Sequence, residues 1–162
     1  LNIQTYKFTD DGKIPNHPDL ELVIYSDVLQ EASCKDLFLK NGWDGVWVNG
    51  IFPFHHFHST AHEVLGVIQG EAIVQFGGQQ GEAVKMKQGD VAVIPAGVGH
   101  KNIQSSSDFS VVGAYPKGQK WDLCTGKPEE RPGVLENIRK VPLPKKDPVF
   151  GDRGPLIELW LK

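Results

Sequence analysis

Four histidines and a glutamate fall within nine residues, at His55, His56, His58, His62 and Glu63. Side chains two apart on an extended strand share a face, so His56 and His58 point the same way, as do Val46, Val48, Phe52 and Phe54. Two imidazoles at the end of an apolar face read as the rim of a barrel interior. Ser59-Thr60 can turn the chain, and the next strand then returns Glu63 beside the rings. Neutral imidazole and carboxylate suit a borderline or hard divalent cation. A third nitrogen ligand is expected from His100, which follows a buried-looking strand, Pro95 and a glycine-rich turn.

These ligands need many short strands to carry them. The 162 residues suit one domain, spanning 1–162, and 18 glycines with 11 prolines favour turns over a helical bundle. Strands are expected over 1–8, 20–25, 46–57, 63–68, 72–76, 83–87, 91–94, 100–104 and 109–115, with a closing strand over 156–161. Short helices are expected over Ser33–Lys40, with Ser33 as cap, and over Gly133–Lys140. Val64 to Ile68 is apolar on both faces, as in a strand covered on both sides. The segment 116–154 is rich in proline, glycine and charge, with Trp121 as its anchor. It is too long to be slack and should pack on its own domain.

The net charge of −3 leaves no electrostatic footprint for nucleic acid, and no charge run or apolar span reads as a membrane segment. Cys34 and Cys124 lack Cys-x-x-Cys spacing and read as free thiols in a cytoplasmic protein. His17, in an Asn-His-Pro loop, reads as a surface residue. His55 has the opposite parity to His56 and is not expected to be a ligand. Gly97 and Gly99 read as positions of positive φ.

With these residues in place, the chain resembles the cupin superfamily, in particular small single-domain bacterial cupins. Gly50, His56, His58, Glu63 and Gly70 match the first cupin motif at every spacing, and Gly89, Pro95, Gly97 and His100 match the second. The second motif ends in Asn, where this chain has Gln104. The motifs lie at 50–70 and 89–104. The resemblance implies an all-β double-stranded β-helix, a jelly-roll barrel with a few short helices. It implies one divalent metal ion (Fe, Mn, Ni or Zn) on His56, His58, Glu63 and His100. The distance to Gly70 favours Glu63 over His62, and a carboxylate also reduces the charge to be buried. His62 is then left on the other face or at the rim, titrating near its ordinary value. Asn102 and Gln104 share the parity of His100, and with His62 they are expected to support the ligands.

The leading functional expectation is a metal-dependent enzyme, of oxygenase or isomerase type, acting on a small polar metabolite. The alternative is a non-catalytic module that binds or senses a small ligand. A homodimer is expected, with Tyr6, Phe8 and Trp160 available to cover sheet edges.

Overall fold

The computed structural model describes residues 1–30 and 33–161. Nine strands appear among them: β1 (Asn2–Tyr6), β2 (Leu22–Ser26), β3 (Trp43–Asn49), β4 (Glu63–Gln69), β5 (Glu71–Phe76), β6 (Glu82–Lys87), β7 (Val91–Ile94), β8 (His100–Ser105) and β9 (Ser110–Pro116). Three α-helices accompany them: α1 (Cys34–Lys40), α2 (Gly133–Lys140) and α3 (Pro155–Leu161). The strands form a six-stranded sheet in the order β1-β2-β7-β4-β9-β3 and a three-stranded sheet in the order β6-β5-β8. Every pairing is antiparallel. The expected all-β jelly-roll class is observed, but the two sheets form an open sandwich rather than a closed barrel.

β4 shows how one strand serves two cores. Leu65 and Val67 point between the sheets, where they pack with Val74, Phe76, Met86 and Ile94. Val64 points outward into a second apolar layer with Phe38 of α1 and Leu156 and Trp160 of α3. The strand is therefore apolar on both faces because helices cover its outer side. At Gly66 a Cβ would lie 2.6 Å from Cys34 Sγ, so the glycine lets α1 seat directly on the sheet. In β6, Val84 and Met86 are buried while Lys85 and Lys87 are exposed, as alternation requires.

Three sequence expectations change. The segment 156–161 is a helix, not a closing strand. Its buried residues Leu156 and Trp160 are four apart, which places them on one helical face. Asp147 anchors this helix by accepting from Tyr25 Oη and from the Leu156 N–H. The strand expected over 46–57 runs instead from Trp43 to Asn49, and the chain then swings out before returning at His56. Val48, Phe52 and Phe54 are exposed and do not form a buried apolar face. Tyr6, on the edge strand β1, and Phe8 are half-buried against their own core, and Trp160 is buried in the outer layer.

α1 begins where expected, with Ser33 Oγ accepting from the Asp36 N–H at 3.4 Å. No described helix is long and apolar enough to cross a membrane.

Candidate metal centre

His56 and His58 sit on a short extended segment rather than a long strand. His56 exchanges two backbone hydrogen bonds with His100, at 3.2 and 2.9 Å, and Phe57 exchanges two with Cys124, both at 2.9 Å. Phe57 is fully buried against Ile14, Cys124 and Val134. Alternation then turns both flanking histidines the other way, into the sandwich. Gly97 holds the second motif against the first. Its N–H donates to the His58 carbonyl at 2.8 Å. Its φ of +88° and the Asn16 carbonyl, 2.6 Å from where a Cβ would stand, both require glycine. Gly99, by contrast, does not take positive φ; it leaves room for Ile14.

The structure brings His56, His58 and His100 together, each offering a nitrogen within 4.8 Å of the others. All three are buried, as is Glu63 at the inward end of β4. Each Nδ1 meets a backbone carbonyl: Phe54 for His56 at 3.0 Å, Asp122 for His58, and Val98 for His100 at 3.2 Å. A carbonyl only accepts, so each Nδ1 carries the hydrogen and each Nε2 presents a lone pair.

Glu63 Oε1 lies 3.3 Å from His58 Nε2 and 3.2 Å from His100 Nε2. It is buried without a hydrogen-bond donor, whereas Oε2 accepts from Tyr115 Oη at 2.8 Å. Lone pairs facing one another in a buried site repel unless a cation stands between them. In the metal-free chain a proton takes that part. Burial alone would raise the Glu63 carboxyl, but the charge of His58, with His100 beside it, outweighs burial and holds it well below the usual carboxylate range. His58 is raised in turn, Glu63 overcoming the opposing effect of burial. His56 is pushed down to about 3, first by burial and then by the charge of His100. The donor set therefore fits a divalent cation.

The cluster forms the floor of a cavity of about 500 Å³. Its walls include Trp47, Tyr115, Trp121, Phe52 and Leu65. Trp47 faces Gly113 across the β3–β9 pair, and a Cβ on Gly113 would lie 2.2 Å from the indole. The glycine thus lets the indole lie flat on β9, and its Nε1 donates to Tyr115 Oη at 2.8 Å.

The residues 119–124 form a strap beside the cavity. Thr60 Oγ1 donates to the Lys120 carbonyl at 2.7 Å, and the Ser59 N–H donates to Asp122 Oδ1 at 2.6 Å. Trp121 is not a buried anchor, being 51% exposed. It stacks on Tyr115 at 6.1 Å and meets the His58 ring edge-on at 5.5 Å. The sequence reading missed Tyr115, Trp47, Trp121 and Asp122. The long tail was the one signal that something returns to the site.

The residues expected to support the ligands are placed differently. His62 lies on the outer side of β4, fully buried, with its ring 4.9 Å from Trp160 and 6.2 Å from His17. Its Nδ1 accepts from the Ala96 N–H at 2.9 Å. Burial, aided by the charge of His17, pushes it down to about 3, so it does not titrate near its ordinary value. Asn102 is half-buried and donates to Ser105 Oγ at 3.1 Å, not to His100. Gln104 is exposed, because an extra residue at Ile103 breaks the register with β5 and reverses the parity after Asn102. His17 is buried rather than on the surface, and His55 is half-buried with its Nδ1 unpaired.

A buried imidazole–carboxylate cluster between two antiparallel sheets is the arrangement of a cupin. A cupin-domain family model matches residues 45–112. A relative from Bacillus subtilis (strain 168), described as uncharacterized protein YjlB, is 49% identical over 160 residues, covering 98% of this chain and 97% of that protein. The chain belongs to the cupin family. Among solved structures, acireductone dioxygenase from Bacillus anthracis, with a cadmium ion in its active centre, is 19% identical over 53% of this chain and 58% of that one, with a TM-score of 0.40. A DUF861 family protein from Thermotoga maritima is 18% identical over 59% of this chain and 98% of that one, with a TM-score of 0.38.

Proposed function

We propose that this cupin is a metal-dependent enzyme in which His56, His58, His100 and Glu63 hold one divalent ion, Fe, Mn, Ni or Zn, at the floor of the cavity. The observation that carries the reading is Glu63 Oε1, buried without a donor and facing two Nε2 lone pairs. A bound ion of this kind supplies Lewis-acid polarisation or, if redox-active, dioxygen chemistry.

The chain's own residues do the rest. Three backbone carbonyls fix the imidazole tautomers. Tyr115 holds Glu63 by one oxygen and leaves the other for the ion. Trp47, Tyr115 and Trp121 shield the floor from bulk water and receive a small molecule. Glu63 is occupied as a ligand, so a free general base is not part of the proposal. The working unit is proposed as a homodimer; a mass near twice 17.9 kDa by light scattering supports it, and a mass near 17.9 kDa rejects it.

A catalytic site keeps an open coordination position, whereas a structural one is closed. Cobalt(II)-loaded protein titrated with azide tests this. The visible spectrum should change as azide enters an open position. An unchanged spectrum at saturating azide contradicts the catalytic reading and favours a closed binding module.

A further inference from the structure

Several of the polar groups that line the cavity are engaged within the protein. Tyr115 Oη donates to Glu63 and accepts from Trp47 Nε1. The three ligand histidines direct Nδ1 at backbone carbonyls. Asn49 Oδ1 accepts from the Gly50 N–H at 2.8 Å. Among the described residues, no lysine or arginine lines the cavity. What the walls offer a ligand is apolar surface: Trp47, Ile51, Phe52, Leu65 and the stacked pair Tyr115 and Trp121, with 21° between the last two ring planes. At the mouth, Phe52 and Trp121 are 49% and 51% exposed, an apolar rim that a ligand would cover.

We infer that the ligand of this site has a flat, apolar body and a single anionic chelating group, and is not a small polyanion. The inference rests on the metal reading above. A dication with the Glu63 carboxylate leaves one positive charge, which one anionic group neutralises. A dicarboxylate would bring a second negative charge to a wall with no cation to pair it, at a large desolvation cost. A flat ring, in contrast, gains offset or edge-on contacts with Trp121, Tyr115 and Phe52 and displaces water from apolar surface. The polar metabolite expected from the ligand set alone is thereby narrowed: polarity belongs at the chelating end, and the body is apolar.

The test uses probes with one chelating group and different bodies. Zinc-loaded full-length protein is titrated calorimetrically with acetohydroxamate, benzohydroxamate and oxalate. Benzohydroxamate should bind at least ~10-fold tighter than acetohydroxamate, a difference of about 1.4 kcal/mol, and tighter than oxalate. Trp121→Ala and Phe52→Ala, both at exposed positions, should each shrink that ratio, the loss falling mainly on benzohydroxamate. Equal hydroxamate affinities, tighter binding of oxalate, or a ratio unchanged in both variants overturns the inference. Zinc that binds while neither hydroxamate does also overturns it but leaves the metal reading standing. Failure of the protein to bind zinc or any other divalent ion overturns both.

Discussion

Tyr115 Oη donates to Glu63 Oε2 at 2.8 Å, and this bond divides the work of the carboxylate between its two oxygens. One oxygen is tied to β9. The other is left bare between His58 and His100. Trp47 Nε1 completes the chain by donating to the same hydroxyl, so β3, β9 and β4 together set the angle of the Glu63 carboxylate.

Tyr115→Phe keeps the ring against Trp121 but removes the donor. Glu63 Oε2 then loses its partner, and the carboxylate is free to rotate. Losing a partner that orients a ligand costs roughly 10–100-fold in metal affinity. Competition with a chromophoric zinc chelator should show a loss in that range. An affinity equal to that of the unsubstituted protein contradicts the division of roles.

Glu63 and His62 are neighbours on opposite faces of the sheet, so substituting each separates the proposed ligand from the core. Glu63→Ala should weaken metal binding by roughly 10-fold or more, at least the cost of losing a residue that only orients a ligand. His62→Ala should leave metal affinity nearly intact. It should instead lower stability by roughly 2–4 kcal/mol, because it empties space beside Trp160 and strands the Ala96 N–H. Urea melts and metal titrations on both variants give the ranking. The reverse ranking in metal affinity would place His62, not Glu63, on the ion.

His17 makes stability depend on pH. Its Nδ1 accepts from the Asp19 and Leu20 N–H groups at 3.0 and 2.9 Å. Protonation would cost both bonds and bury a charge. Burial, with Lys7 adding to it and Asp19 opposing, pushes the folded-state value down to about 4. The unfolded value is about 6.5. Between these values the unfolded chain binds more protons than the folded one. The His17 contribution is therefore complete above about pH 6.5 and falls as pH drops towards 4. Urea midpoints at pH 7.5 and 4.5 should differ less in His17→Gln than in the unsubstituted protein. An equal difference in both contradicts this assignment.

The parts of the molecule legible in the sequence are those fixed by local pattern. Alternation in Val84–Lys87, the cap at Ser33 and the two-faced apolar run from Val64 each dictate their own element. The histidines were legible because spacing brings His56 and His58 to one face of even a very short extended segment. What escaped depends on tertiary neighbours. The segment 156–161 is apolar enough for either period, and only the outer face of β4 selects a helix. Trp121 reaches the cavity because Asp122 is pinned to Ser59, more than sixty residues earlier in the chain. Gln104 is turned out by a bulge that no local pattern announces. His17 resembles a loop residue until His62 and two backbone N–H groups enclose it.

A divalent ion held by the buried cluster of His56, His58, His100 and Glu63 would leave a direct trace in the purified protein. The most direct measurement is elemental analysis of protein purified without chelator, combined with melting of the stripped and reloaded forms. Close to one divalent ion per chain is expected. Stripping should lower the melting temperature and reloading restore it, because an ion that binds only the native state stabilises it by mass action. Protein that carries no metal, and whose melting temperature is unmoved by Fe, Mn, Co, Ni and Zn, would contradict the metal reading.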